Sequence, residues 1–146
     1  MIKDKEFWIW FAGFVDGEGC FQLVKHKVDR VKRGYSWASS LTISQYSEEF
    51  LNDLKFKIGF GNVILQEKND ARLSFSAGHL RKILPHFIEY LKVRKQEALY
   101  MKEALELVKQ NRITKDYYAN DKRLNKLFKL IRNCHKISAR KRRKWK

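Results

Sequence analysis

Phe11-Ala12-Gly13-Phe14-Val15-Asp16-Gly17-Glu18-Gly19 is an apolar segment that runs straight into acids set between glycines. Upstream, Phe7, Trp8, Ile9 and Trp10 carry the apolar character back towards Lys5. Phe7, Trp10, Phe11 and Phe14 make one stripe at helical spacing, and Trp8, Ala12 and Val15 make a second. A helix that is apolar on both sides is buried on both sides. In a small domain one stripe covers the domain's own core, so the other needs a second body. Gly13 and Gly17, four apart and beside Ala12, would let two helix backbones approach closely. The segment is too short to span a bilayer. Glu18, between Gly17 and Gly19, is a carboxylate placed by backbone geometry rather than by a flexible side-chain shell. One fixed anionic oxygen is what metal-dependent phosphate chemistry requires.

The chain has 146 residues, enough for one domain with a sizeable core. Its 32 Lys and Arg against 16 Asp and Glu leave a formal net charge of +16. Such a balance points to a polyanionic partner, nucleic acid before an anionic membrane surface. Cys20 and Cys134 are two and far apart, which argues against a disulfide framework and for a reducing compartment. Met1 to Glu6 lacks signal-peptide or transit-peptide character. His26, His79, His86 and His135 form no zinc spacing with the cysteines. Gly59-Phe60-Gly61 lacks the third glycine and preceding strand of a nucleotide loop, and no G-x-S-x-G nucleophile motif is present.

After the first helix, Phe21 to Lys27 and Tyr35 to Ser44 read as an antiparallel pair joined by a basic, glycine-ended link over residues 28 to 34. Ser47 with Glu48 and Glu49 is a helix start, and Phe50, Leu51, Leu54 and Ile58 carry that helix to Gly59. Asn62 to Glu67 and Arg72 to Ser76 are short strands around a Lys68-Asn69-Asp70 turn. A helix from His79 to Leu84 is expected to end or kink at Pro85. Lys92 to Gln110, with Val93, Leu99, Leu105 and Val108, and Asp121 to Asn133, with Leu124, Leu127, Phe128 and Ile131, are amphipathic helices. The fold class is α+β, in the order αββαββα with further helices. The expected organisation is a single domain over 1–146, with its core at about residues 5–110 and a helical extension with a basic tail over 111–146.

Residues 11 to 19 resemble the signature of the LAGLIDADG homing endonucleases position by position. Phe11 stands for the first leucine, Phe14 and Val15 for the Leu-Ile pair, Asp16 for the first acid and Glu18 for the second. The resemblance extends over about residues 7 to 110, including the helix-to-strand turn Ile58-Gly59-Phe60-Gly61-Asn62. It implies an antiparallel four-stranded saddle that binds double-stranded DNA. A chain with one copy of the motif, and no internal repeat, is implied to form a homodimer through the motif helix. The expected interface is Phe7, Trp8, Phe11, Ala12, Gly13, Val15 and Asp16.

The resemblance further implies hydrolysis of both strands of a long, pseudo-palindromic site, in the service of intron or intein mobility. Mg²⁺ is the expected cofactor, with Mn²⁺ as substitute, and Glu18 and the Gly17 carbonyl are the expected ligands. Asp16 is the weaker metal candidate, with a structural role expected first. Gln45 and Arg94, with Lys95 as its substitute, match the family's polar and basic catalytic positions. Where some relatives carry an Arg after that Gln, this chain has Glu49. An organellar home, mitochondrion or chloroplast, or another intracellular one, is the expected localisation, and secretion is not expected. The alternatives are an intron RNA maturase, with host intron RNA as partner, a non-cleaving DNA-binding regulator, and an rRNA-binding protein.

Alternation along the strands nominates the DNA-facing residues. They are Gln22, Val24 and His26 on the first strand and Ser36, Ala38 and Ser40 on the second. The second hairpin adds Gln66, Lys68, Arg72, Ser74 and Ser76. Lys25, Lys27, Arg30, Lys32 and Arg33 are expected on phosphates, where they give affinity without sequence information. The run Arg140 to Lys146 is expected to add phosphate contacts.

Overall fold

A computed structural model describes residues 1–30, 32–67, 70–114 and 117–144, with side chains except at 112–114, 117–119 and 138–144. The basic run from Arg140 onwards therefore lies outside the described side chains, and Lys68 lies outside the described residues.

Asp4 starts helix α1 (Lys5–Glu18), its carboxylate accepting the Glu6 N–H at 3.0 Å. The helix stops without a left-handed cap, because Gly19 is already extended, with φ −84 and ψ 156. Gly19 is required by crowding: a Cβ there would lie 2.8 Å from both Val15 Cγ1 and the Val15 carbonyl oxygen. Glycine thus lets the chain leave the helix and enter strand β1 (Gly19–Lys27) with no connecting loop.

β1 pairs antiparallel with β2 (Tyr35–Gln45) in a register running from Gly19 opposite Ile43 to Lys27 opposite Tyr35. Helix α2 (Glu48–Ile58) is capped by Ser47, whose hydroxyl accepts the Phe50 N–H at 3.1 Å. It ends at Gly59, whose φ of 100 is the left-handed turn glycine allows. Strands β3 (Asn62–Leu65) and β4 (Ala71–Phe75) complete one sheet in the order β1-β2-β4-β3, every pairing antiparallel. Helix α3 (Ala77–Phe87), a 3-10 turn over Ile88–Tyr90, α4 (Lys95–Thr114) and α5 (Tyr117–Lys144) follow.

One sheet face carries Phe21, Leu23, Trp37, Leu41, Ile43, Leu73 and Phe75, all buried. Helices close over it through Phe11, Val15, Leu51, Ile58, Leu80, Ile83 and Phe87. Burying side chains of this size contributes roughly 1.5–3 kcal/mol each before chain entropy is subtracted. α5 lies against α4, with Leu124, Leu127 and Ile131 buried opposite Ala98, Met101 and Ala104. The Arg123 guanidinium grips the Glu103 carboxylate at 2.7 and 3.0 Å. Asp121 fixes α5 to β2, accepting from Trp37 Nε1 at 3.1 Å and from the Tyr35 hydroxyl.

Three expectations are corrected. The helix at Pro85 neither ends there nor begins at His79; it runs from Ala77 to Phe87 and only then tightens into the 3-10 turn. Packing outweighs the proline's missing N–H, because Trp8 stacks on His86 at 5.2 Å and Phe11 meets Phe87 edge-on at 5.0 Å. The two long helices are Lys95–Thr114 and Tyr117–Lys144, longer or later than their apolar periodicity implied. The buried side of α4 is Ala98, Met101, Ala104 and Leu105, whereas Val93 and Leu99 are exposed.

Candidate nucleic-acid interface and metal-binding edge

The end of α1 separates its two acids. Asp16 turns back to the protein, where its carboxylate accepts the backbone N–H groups of Lys92 at 2.8 Å, Val93 at 3.1 Å and Arg94 at 2.9 Å. These donors lie in the segment just before α4, so Asp16 ties the end of α1 to the approach to that helix from 76 to 78 residues away. Both its oxygens accept backbone N–H groups, a structural role for this acid. Asp16→Ala removes these three bonds and is expected to cost about 1–3 kcal/mol of stability in urea unfolding.

Glu18, by contrast, is exposed at the last helical position. Gly17 is exposed beside it, and its carbonyl has no helical partner because Phe21, four residues on, already belongs to β1. The Gly19–Ile43 pairing puts Gln45, two residues further along β2, level with this helix end. Arg94 is brought to the same edge through its backbone bond to Asp16. Its side chain is 9% exposed and reaches Glu97 Oε1 at 3.4 Å, while its buried Nε has no hydrogen-bond partner among the described residues. Lys95 is exposed at the first position of α4, and Glu49 is exposed in the first turn of α2.

These donors suit a hard divalent ion. One exposed carboxylate and one free helix-end carbonyl per chain match Mg²⁺, which keeps several waters and takes phosphate oxygens for the rest. Among the described residues no group of three or more His, Cys, Asp and Glu side chains could hold a metal by itself.

Behind Arg94 lies a cluster that local sequence patterns do not signal. Glu97 is 4% exposed in its side chain and faces Arg94 with one oxygen and His135 Nε2, at 3.3 Å, with the other. His135 Nε2 also lies 3.8 Å from the Cys20 sulfur. Cys20 and Glu97 together favour the protonated ring and push its pKa up to about 10, against the opposing effect of burial.

The sheet face away from the core is polar. Gln22, Val24, His26 and Ala38 are exposed on it, and Ser36, Ser40, Arg72 and Ser74 are half-buried. Register sets them in rows: Gln22 faces Ser40, Val24 faces Ala38, and His26 faces Ser36. Another row, Cys20, Thr42, Ser74 and Asn62, crosses all four strands, and Ser44 and Ile64 flank Arg72. Thr42, Ser44, Asn62 and Ile64 were not singled out in the sequence, although the same alternation reaches them. Gln66 is exposed beyond β3, and Ser76 is exposed at the start of α3. Lys27, Arg30 and Lys32 are exposed around the β1–β2 turn. Lys25 stands on the core side of β1, its ammonium 4.0 Å from the Tyr35 ring centre, and the Arg33 guanidinium carbon lies 5.4 Å from the same ring centre. At the β1 edge, Arg132 of α5 shares a cleft with Gln22 and Val24.

The faces of α1 are also corrected. Trp8, Phe11, Ala12 and Val15 are buried within their own chain and cannot form the outer surface. The outward side is Ile9, 45% exposed, Trp10, 46% exposed, with Gly13, Gly17 and half-buried Phe14. Half-buried Phe7 lies between the sides, stacked on Phe11 at 5.9 Å. Phe50 of α2 extends the outer patch, edge-on to Phe14 at 5.6 Å and to Trp10 at 6.2 Å.

Residues 11–105 match the model of the LAGLIDADG endonuclease family. The probable intron-encoded endonuclease Cox1-I1b of Schizosaccharomyces pombe is 31% identical over 84 residues, which are 56% of this chain and 22% of that protein. The chain thus matches only about a fifth of the length of that curated relative. The homing endonuclease I-CvuI, in complex with its target in the presence of calcium, superposes with a TM-score of 0.76 at 22% identity, covering 89% of this chain and 82% of that one. The archaeal intron-encoded homing endonuclease I-Vdi141I, complexed with DNA, gives a TM-score of 0.66 at 18% identity, covering 90% and 99%. At these identities the likeness to the solved structures is one of fold. No helix among the described residues is long and apolar enough to cross a membrane.

Proposed function

This chain belongs to the LAGLIDADG endonuclease family, and from that premise we propose that it is a homodimeric, Mg²⁺-dependent endonuclease that cuts both strands of a long, pseudo-palindromic DNA site. The observation that carries the reading is the division of labour at the end of α1. Asp16 is committed to three backbone N–H groups, whereas Glu18 is exposed at the helix terminus. An acid held by backbone geometry yet left open is a ligand position rather than a structural one.

Glu18 and the Gly17 carbonyl would hold Mg²⁺, with Mn²⁺ as substitute. When bound, the ion supplies positive charge to the scissile phosphate and lowers the pKa of an attacking water. The Gln45 amide orients that water from the end of β2. The Arg94 guanidinium neutralises charge that develops on the phosphate, worth most in a site shielded from water. Lys95 is the exposed cation beside it and serves in the same role if Arg94 stays on Glu97. One carboxylate per chain serves one strand, so cleavage of both strands requires two chains related by a two-fold axis.

The polar sheet face reads the bases. Gln22, His26, Ser36, Ser40, Arg72, Ser74 and Gln66 are the direct readers, with Val24 and Ala38 making apolar contacts. A β-ribbon of this width enters the major groove. Lys27, Arg30, Lys32 and Arg33 take phosphates at the hairpin end, and Arg132 extends that grip along α5. An intron or intein, in an organellar genome, is the home we assign, supported by the intron-encoded relative.

The test is direct. Purified protein with Mg²⁺ should cut a plasmid carrying the joined sequence that flanks its reading frame. The same protein should leave a plasmid with that site scrambled intact. Failure to cut at any temperature or with Mn²⁺ would sink the assignment and favour a DNA- or RNA-binding role. Binding in Ca²⁺ should weaken steeply with salt, log Kd changing by roughly 0.9 per phosphate contact per log unit of salt. A flat response would remove the phosphate grip.

A further inference from the structure

The Glu97 cluster lies outside the residues so far given a role, yet it joins three parts of the fold. Its carboxylate is almost fully buried on α4, 4% exposed in the side chain. It has two basic neighbours: the Arg94 guanidinium, 3.4 Å from one oxygen, and the His135 ring, 3.3 Å from the other, which accepts no hydrogen bond among the described residues. His135 comes from the extension, on α5, and also touches Cys20 at 3.8 Å, two residues after Glu18. Arg94 and strand β1, which begins directly after Glu18, are therefore tied to α5 through one side chain.

A buried carboxylate holding a single cation draws it close and keeps it. A carboxylate shared between two cations holds each less tightly. The Arg94 contact is long for a charge-assisted hydrogen bond, and its Nε is unpaired among the described residues. The guanidinium is thus positioned by Glu97 without being fully consumed by it.

We propose that His135 is a positioning residue: by sharing the buried Glu97 carboxylate with Arg94, it leaves the Arg94 guanidinium free to engage a DNA phosphate. The proposal rests on the endonuclease reading above. It assigns the C-terminal helices a part in the chemistry, beyond covering the core.

The test pairs His135→Gln with His135→Lys. Glutamine keeps the approximate shape and hydrogen bonding but not the charge, whereas lysine restores a cation beside Glu97. His135→Gln should slow single-turnover cleavage about tenfold, a usual loss for a supporting residue, with DNA affinity in Ca²⁺ unchanged. His135→Lys should recover most of that loss. Cleavage by His135→Gln at the wild-type rate overturns the proposal, and so does an equal loss in both variants, which would mark a packing role. A readout without activity runs beside it. The Arg94 Nε–Hε resonance of the free protein should shift in His135→Gln and return in His135→Lys, and an unmoved signal overturns the link. A wild-type protein that does not cut would count against the endonuclease reading alone, because the Arg94 resonance still decides this one.

Discussion

Glu18→Gln should abolish cleavage while leaving DNA binding in place. Glutamine preserves the size of the side chain and removes only its charge. Among the described residues no hydrogen bond or ion pair holds the Glu18 carboxylate, so the folded chain loses nothing in the exchange. Mg²⁺ favours anionic oxygen and binds a neutral amide poorly. Losing several kcal/mol of charge stabilisation in the transition state corresponds to a fall of about a thousandfold or more. Affinity for the site in Ca²⁺ should stay near wild type, since the basic hairpin and the polar sheet face are untouched. Single-turnover digestion of a labelled duplex, beside a filter-binding titration, separates the two effects. Cleavage retained within tenfold of wild type would remove Glu18 from the metal site.

Gly13→Leu should turn a dimer into monomers without unfolding the chain. Gly13 is exposed on the outward side of α1, and a Cβ built there meets nothing within 4 Å of its own chain. The same holds for Gly17, one turn on. Two helices can approach backbone to backbone only where such positions stay bare. A leucine at that point stands between them. Within the monomer it improves helix propensity by somewhat under about 1 kcal/mol, so thermal stability of the isolated chain should not suffer. Sedimentation velocity should report half the wild-type mass, and double-strand cleavage should be lost with it. A sedimentation coefficient equal to that of wild type would place the interface elsewhere.

Much of the fold was legible in local patterns. The glycine-flanked acid end, the two strand hairpins, the Ser47 cap and the Gly59 stop depend on neighbours a few residues away. Strand alternation likewise put Gln22, Val24 and His26 on one face and Phe21 and Leu23 on the other, because pleating reverses the side chain at every residue. The faces of α1 were not legible. Both stripes are apolar, so hydrophobicity alone does not choose between them, and packing against Phe75 and Phe87 selects Phe11 for the inside. The helix through Pro85 was not legible either, because the contacts of His86 with Trp8 and of Phe87 with Phe11 join residues far apart in the chain.

By itself, then, the sequence determined the order of elements, the αββαββα core, the fixed position of Glu18 and the basic, polyanion-seeking character of the chain. Each follows from local backbone preference or from summed charge. Only the tertiary structure decided that Asp16 holds the segment leading into α4, that Trp10 and Phe50 share the outer patch, and that Glu97 stands between Arg94 and His135. Those choices join residues dozens of positions apart, where no periodicity operates. They are settled by which surfaces fill the core and which buried charges find a partner.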